Sequence, residues 1–469
     1  MKVKSCVPQR DAAESQGLLA GLWFGFMRRR AAPSEVFKKG VLCVFCALCG
    51  ESLCFEQARA FEWTLHGAVK NESAYFVSGK KRFDKIQNRL DLKPEAVLGG
   101  GWEFRSRALT WYDAAMDVNA TNRTDLTPGI KQHYRTRIES KEAYLLYGGD
   151  AFDLRIGQQQ IVWGKTDGIR MLDIINPLDL REFILDDFLD SRIGLWSARL
   201  NYYAEIGDAE HEFEFIMIPD ARPGEFAPTG SRWGFAPQTP PPGIALHALA
   251  PEQPNWSLRN SEFGVAWRAN LDDWDLSLNY FYGWQDTPNL FRQLSGATLI
   301  MQLKHLRMHT LGSSFSNAFG PFVVRGEVAV NLGEGINTTS LIWNRSVVRR
   351  TTLNGAIAID YTVSNWTIGA QLFGRQVINA PVVDTTLGTT PNIATLRIAT
   401  DFMNEKLKPE ILLLADLDDG GLLARPKISY EFSDNLVGAL GADIISGTGG
   451  LFGRFASNDR VYSELEWSF

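Results

Sequence analysis

Beyond Cys54 the chain contains no cysteine; all five (Cys6, Cys43, Cys46, Cys49 and Cys54) fall in its first 54 residues. A product that crosses an oxidising compartment gains from having no thiol to mispair. After residue 50 there is also no apolar run of the roughly 18 residues a spanning helix needs, which excludes transmembrane helices there. A basic surplus is missing too. Removing residues 1–60 takes nine cations and five anions out of 48 Lys plus Arg and 54 Asp plus Glu, leaving a net charge of −10. That excludes nucleic-acid binding driven by electrostatics. Histidine is scarce. His305 and His309 share a face, but no HExxH pattern or cysteine accompanies them, so no metal site is expected. Gly99-Gly100-Gly101 and Gly447-Thr448-Gly449-Gly450 lack the strand–loop–helix setting of a phosphate loop and read as turns. Asp272-Asp273 and Asp418-Asp419 read as turn residues rather than calcium ligands. No cofactor is implied.

The first 60 residues read as an export signal. Arg28, Arg29, Arg30, Lys38 and Lys39 form a basic n-region, Gly40 to Gly50 a short apolar h-region, and Ala58-Arg59-Ala60 an A-x-A cleavage site. The mature chain then starts at Phe61, and Met27 offers an alternative start just before the basic run. A lipoprotein fits poorly, because Leu48 before Cys49 and Leu53 before Cys54 are not the small residues that lipidation requires.

Residues 61–469 show no domain-like shift in composition, and period-two alternation recurs along them. Trp196, Ala198, Leu200 and Tyr202 alternate with Ser197, Arg199 and Asn201. Trp274, Leu276, Leu278, Tyr280 and Tyr282 alternate with Asp275, Ser277 and Asn279. The chain ends the same way. Val461, Leu465, Trp467 and Phe469 share one strand face with Ser463, and Glu464, Glu466 and Ser468 lie on the other. A chain ending in an amphipathic strand on an aromatic residue looks like a bacterial outer-membrane barrel. There the closing strand also carries the assembly signal, here Leu465, Trp467 and Phe469. Aromatics at strand ends fit an interfacial girdle better than the single dry core of a sandwich.

The alternation gives 18 candidate strands, near 61–69, 84–93, 102–114, 135–147, 152–163, 194–205, 211–218, 261–270, 273–284, 306–316, 321–331, 350–362, 365–376, 392–404, 408–416, 422–431, 436–446 and 459–469. Short and long connections alternate between them, with 417–421 the one short exception among the long ones. An even strand number places both termini at the short-turn, periplasmic end. The expected fold is therefore all-β: a transmembrane antiparallel up-and-down barrel of 18 strands, with 16 as the alternative, in the Gram-negative outer membrane.

Two long connections stand out. Gly164 to Ile193 carries four cations against seven anions, a formal charge of −3, and contains Asn176-Pro177-Leu178-Asp179-Leu180-Arg181. Asn before Pro is held out of the helical region, which gives a fixed bend. Such a loop can fold back into the lumen as a constriction, with Trp163 and Gly164 marking where it leaves the wall. Arg170, Arg181 and Arg192 would then face its carboxylates, Asp179 among them. An ordinary surface loop is the alternative. Pro219 to Leu258 holds nine of the 20 prolines, including Pro240-Pro241-Pro242, along with Phe226, Trp233, Phe235, Ile244, Leu246 and Leu249. It reads either as a lid over the outer mouth or as an exposed loop.

Arg155-Ile-Gly157-Gln-Gln-Gln160-Ile-Val-Trp163-Gly164, followed by Asn176-Pro177-Leu-Asp179, resembles a proteobacterial outer-membrane barrel family of unknown function, with its pattern G-R-Q-x-x-x-W-G and a later N-P-x-D. Gln158 stands where that family usually has Arg. The Pro-rich loop, Phe263-Gly264-Val265, Asp275 to Tyr280 and Pro288 are also similar. The resemblance implies a barrel often encoded beside RND-type exporters and a lipoprotein, and so a part in moving a hydrophobic or lipid-like compound. Its other expected partners are outer-membrane lipids, lipopolysaccharide and the barrel-assembly machinery.

The reading is a channel or export conduit for a small solute, not an enzyme. An outer-membrane lipase or protease and a secreted soluble β-sandwich are the alternatives, although no serine–histidine signature of a barrel lipase is present. Flux into liposomes without turnover separates the first two. The cysteine distribution gives the first prediction. Intact-mass measurement of the membrane form should show a chain that starts at Phe61 and has no cysteine; a retained, lipid-modified Cys49 or Cys54 would refute it.

Overall fold

The computed structural model describes residues 62–118, 126–166, 169–187, 190–234, 240–379 and 392–469. The expected export signal and its expected cleavage site lie outside the described residues. Eighteen antiparallel strands form one closed sheet. They are Glu62–Phe76 (β1), Phe83–Gly99 (β2), Trp102–Asp113 (β3), Thr136–Gly148 (β4), Phe152–Gln159 (β5), Leu195–Ile206 (β6), Ala209–Ile218 (β7), Glu262–Leu271 (β8), Trp274–Trp284 (β9), Arg307–Phe319 (β10), Phe322–Asn337 (β11), Val347–Val363 (β12), Trp366–Val377 (β13), Ile393–Thr400 (β14), Leu407–Asp416 (β15), Leu422–Ser433 (β16), Leu436–Ser446 (β17) and Arg460–Ser468 (β18). Each pairs with its neighbours in chain order, and β18 pairs with β1 from Ala68↔Ser468 to Phe76↔Arg460. Phe469 completes the seam: its N–H donates to the Gly67 carbonyl and its own carbonyl accepts from Gly67, both at 2.9 Å.

All 18 expected strands are present, but several boundaries move. β1 runs on to Phe76 and β11 to Asn337, because pairing continues above the apolar belt, where alternation is no longer enforced. β2 continues through Pro94, the residue that marks its end in sequence. The ladder to β3 passes from Leu92↔Ala108 to Glu95↔Arg105 and skips the proline, while Pro94 pairs with Leu65 on the other side. β5 stops earlier than expected, at Gln159, so the chain leaves the wall four residues before Trp163.

Side chains sort by parity. On β18, Val461, Leu465, Trp467 and Phe469 point outward and are 40–48% exposed, while Arg460 and Tyr462 are buried on the lumen side. On β9, Trp274 sits at the turn end and Trp284 at the loop end of the outward row. Ten residues of a strand tilted by about 40° rise about 26 Å, the height of a hydrocarbon belt between two aromatic girdles. The turns are tight. Asp272 and Asp273 take φ of 49° and 69°, the pair of left-handed residues a two-residue hairpin needs, so this acid pair is a turn. At the seam Gly67 has no room for a side chain: an added Cβ would sit 2.5 Å from the Phe469 ring and 2.8 Å from the Asp91 carbonyl.

Closure rests on the last residues. Deleting Trp467–Phe469 removes the bottom of the β18–β1 seam and leaves strand edges that hydrocarbon cannot satisfy. The variant should fail to insert and be degraded before reaching the membrane. Recovery of a normal heat-modifiable barrel on gels would show that closure does not depend on it.

Candidate functional site

The lumen is occupied by two inward-folded loops, L3 (Gln160–Gly194) and the first part of L4 (Pro219–Gly234). L3 turns in at Ile161 and Trp163, which are buried. The Trp163 Nε1–H donates to Glu214 Oε2 at 2.7 Å, and Glu214 on β7 also receives Arg268 from β8. Trp163 is therefore a lumen anchor rather than the last residue of the wall. Gly164 follows at φ +93°, with Glu327 of β11 where a Cβ would go, 2.9 Å away. The Glu327 carboxylate accepts the amides of Lys165, Thr166 and Leu172, and Arg325 donates to the Lys165 carbonyl. Lys165 reaches on to Asp275 of β9.

The far end of L3 meets the opposite wall with reversed charge. Asp186 pairs with Lys85 of β2 at 3.1 Å. Asp190 takes Arg89 of β2 at 2.7 Å and Arg107 of β3 at 2.6 Å. Lys141 of β4 donates to the carbonyls of Asp190 and Arg192, and Arg425 of β16 to that of Leu185. β2 and β11 lie nine strands apart in an 18-stranded ring, so the loop spans a diameter. Burial disfavours ionisation of Asp190, yet Arg89 and Arg107 hold its carboxyl well below the usual range.

Asn176 closes the base of the loop. It is fully buried; its Oδ1 accepts from the Ile161 N–H at 2.6 Å and its Nδ2 donates to the carbonyls of Ile193 and Gln159. Beside it the Pro177 carbonyl accepts from Ile193 at 2.8 Å. The Asn-Pro pair thus ties the two limbs of L3 together. The three expected arginines are taken up close by. Arg170 and Arg192 share Asp173, at 3.0 and 2.7 Å. Arg181 forms a two-pronged pair with Asp179, reaches Glu225 at 3.6 Å and lies 5.3 Å over the Trp111 ring. Burial opposes ionisation of Asp179, but Arg181 brings its carboxyl below the ordinary value. Arg181 and Asp179 line a cavity of about 40 Å³ with Arg89, Lys141, Asp186 and Asp190. By size and polarity it suits a few waters.

L4 divides in two. Its first part joins L3 through a short parallel pairing of Asp179–Leu180 with Glu225–Phe226. Arg232 is buried 4.5 Å over the Tyr134 ring and meets Asp84, Asp113 and Glu182. Arg460 shares Asp84 with it, at 2.6 Å, and burial outweighs the pull of Arg232 and Lys85 on Glu182, pushing its carboxyl up to about 7. Trp233 joins Phe76, Phe183 and Phe455, and this cluster extends to Met171, Phe373, Ile393, Leu423 and Phe452, forming an apolar core inside the lumen. The described part that follows, residues 240–258, stays outside, where Ala245–Ala248 pairs with Thr298–Met301 of a hairpin in the next outer loop, L5 (Asn289–Ser295 with Thr298–Lys304). The Pro-rich connection is thus half plug and half outer sheet; Phe235 lies outside the described residues.

The two histidines go separate ways: His305 Nδ1 contacts the Gln285 carbonyl and His309 Nδ1 the Tyr280 hydroxyl. Among the described residues no group of metal-ligating side chains forms. Sequence reasoning missed the wall partners Lys85, Arg89, Arg107, Glu327 and Arg425. Their one signal is a charge at a lumen-parity position.

Asn176 gives the third prediction. Asn176→Ala leaves one buried amide and two buried carbonyls without its hydrogen bonds, at roughly 1–3 kcal/mol each. Limited proteolysis should cut within L3 at lower protease concentration than in the wild type, while the barrel stays heat-modifiable. Unchanged resistance would mean the limbs are held by other contacts.

Among solved structures the chain is similar to Salmonella typhi OmpF in complex with daunomycin, at 10% identity over 87% of this chain and 97% of that one, TM-score 0.40. It is also similar to Pseudomonas aeruginosa OpdK with vanillate, at 9% identity over 87% and 98%, TM-score 0.48. A third is the OmpT loop L8 deletion mutant, an outer membrane protein of Vibrio cholerae, at 8% identity over 88% and 100%, TM-score 0.39. The fold assignment rests on the chain's own closed sheet. A search of the curated proteins finds no match. The profile of the family described as "Protein of unknown function (DUF1302)" matches residues 56–407, and the chain belongs to that family.

Proposed function

We propose that the protein is an outer-membrane channel or export conduit of a Gram-negative bacterium, with L3 as its constriction and gate. The carrying observation is the charged strut across the lumen, anchored on Glu327 at one wall and on Lys85, Arg89 and Arg107 at the other. Such contacts are strong in a partly desolvated passage, yet all are reversible: ion pairs at the basic wall, and backbone amides on a carboxylate at Glu327. Trp163, Gly164, Asn176 and Pro177 set the loop's path, and Arg170, Arg181 and Arg192 with Asp173 and Asp179 supply charges of both signs along it.

The apolar cluster around Phe183, Trp233, Phe373 and Phe455 supports a small amphipathic or hydrophobic solute. A purely aqueous pore has a polar lumen instead. With L3 and L4 displaced, the wall residues Phe373, Ile393 and Leu423 would offer such a solute an apolar surface beside a charged one. A partner exporter of the RND type, which the family resemblance implies, would deliver a solute of this character.

Planar bilayers test the gate. Deleting Leu172–Leu185 removes the centre of the strut and should raise single-channel conductance several-fold. Arg181→Glu places a carboxylate beside Asp179 and Glu225 and should shift ion preference towards cations. Both variants should remain heat-modifiable. If both conduct like the wild type, L3 does not gate the passage and the Pro219–Gly234 segment takes its place as the leading candidate.

A further inference from the structure

The outward face near the loop end carries cations that the rest of the barrel does not explain. Inside the lumen Arg107, Arg268, Arg375 and Arg425 each sit on a carboxylate. Arg307 and Arg349 instead lie in the outward rows of Leu311 on β10 and Leu353 on β12, which are 49% and 42% exposed to lipid. Their hydrogen bonds go only to backbone carbonyls. Arg307 donates to Ser261 at 3.0 Å and Arg259 at 3.3 Å; Arg349 donates to Arg307 at 2.6 Å and Gly333 at 2.9 Å. Among the described residues none of Arg259, Arg307 and Arg349 forms an ion pair, although the Glu262 carboxyl lies near enough to Arg307 to interact with it electrostatically. The guanidinium groups of Arg307 and Arg349 are therefore linked through backbone along one rim, and the chain of contacts ends on the backbone of Arg259.

Their setting is that of the membrane surface. Arg307 lies 4.4 Å over the Trp284 ring and 4.9 Å over Tyr282, at the upper aromatic girdle. The rings hold the guanidinium plane without neutralising it, and Arg307 keeps N–H donors beyond the two carbonyl contacts. Next to Arg259, the apolar side chains of Trp256 and Leu258 are 68% and 75% exposed. A surface combining exposed apolar anchors, girdle aromatics and arginines outside any ion pair is continuous with the lipid-facing belt. It is complementary to an anionic group at the depth of lipid headgroups.

We propose that Arg259, Arg307 and Arg349 form a binding site for the phosphorylated headgroup of an outer-leaflet glycolipid, with Trp256 and Leu258 entering the acyl boundary beside it. The site is independent of what passes through the lumen.

The test uses the detergent-extracted, heat-modifiable protein and bis-phosphorylated lipid A as probe. The thermal midpoint of the wild type should rise with lipid A, dephosphorylated lipid A should give a much smaller rise, and the triple variant R259Q/R307Q/R349Q should lose the response. Each guanidinium removed should weaken apparent affinity by roughly tenfold, the worth of one charge-assisted hydrogen bond. Should the triple variant not fold, the exposed Arg349→Gln alone carries the same expectation of a roughly tenfold loss. An equal rise in the variant, or with dephosphorylated lipid A, overturns the proposal. So does an equal rise with inorganic phosphate at the same concentration, which would mark an anion site with no lipid specificity.

Discussion

Hydrocarbon offers no partner to a backbone amide, so every N–H and C=O of the wall must be satisfied within the sheet. An open edge would leave a whole row unpaired, at several kcal/mol per group. The β18–β1 seam removes that edge, and most other features follow from it. Closure fixes strand parity, and parity sends one row of each strand to lipid and the other to the lumen. Val461, Leu465 and Trp467 can then be apolar only because Arg460, Tyr462 and Glu464 face the other way.

The lumen inherits what lipid rejects. Lys85, Arg89 and Arg107 gather on one arc, and Glu327 with Glu214 on another. Wall partners balance them in part, Glu72 and Asp91 on the basic arc and Arg199 and Arg268 on Glu214. L3 completes the match: its carboxylates go to the basic arc, its backbone amides to Glu327 and its Trp163 indole to Glu214. L4 adds what charge cannot supply, an apolar seal of Trp233 against Phe183 and Phe455. The plug is therefore specified twice, by electrostatics across the passage and by packing near its mouth.

The wall was largely legible in the sequence, because lipid on one side enforces a two-residue period that nothing else in the chain imitates. The family resemblance was legible too, through Gly157 to Gly164 and Asn176 to Asp179. Legibility ended where lipid ends. β2 runs past Pro94 because one skipped ladder position is tolerable, and β5 stops short of Trp163 because its last residues turn towards Glu214. The L5 hairpin, Asn289–Ser295 with Thr298–Lys304, lacks clean alternation, and its turn signal, Ser295-Gly296, was too slight to read as one. The role of Asn176 was visible only as a bend. That its side chain ties two limbs of the loop depends on residues 15 and 17 positions away, and no local pattern records such a meeting.

The strut has a mechanical side. A ring of 18 strands is a thin hoop, which small changes of angle between neighbouring strands deform without breaking the ladder. L3 runs across it as a spoke, from Glu327 on β11 to Asp186 and Asp190 against β2, nine strands away by either route, and its neighbour β3. A spoke along one diameter fixes that diameter. With it undone the hoop is free to go oval, so the loop that fills the passage also sets the shape of the wall around it.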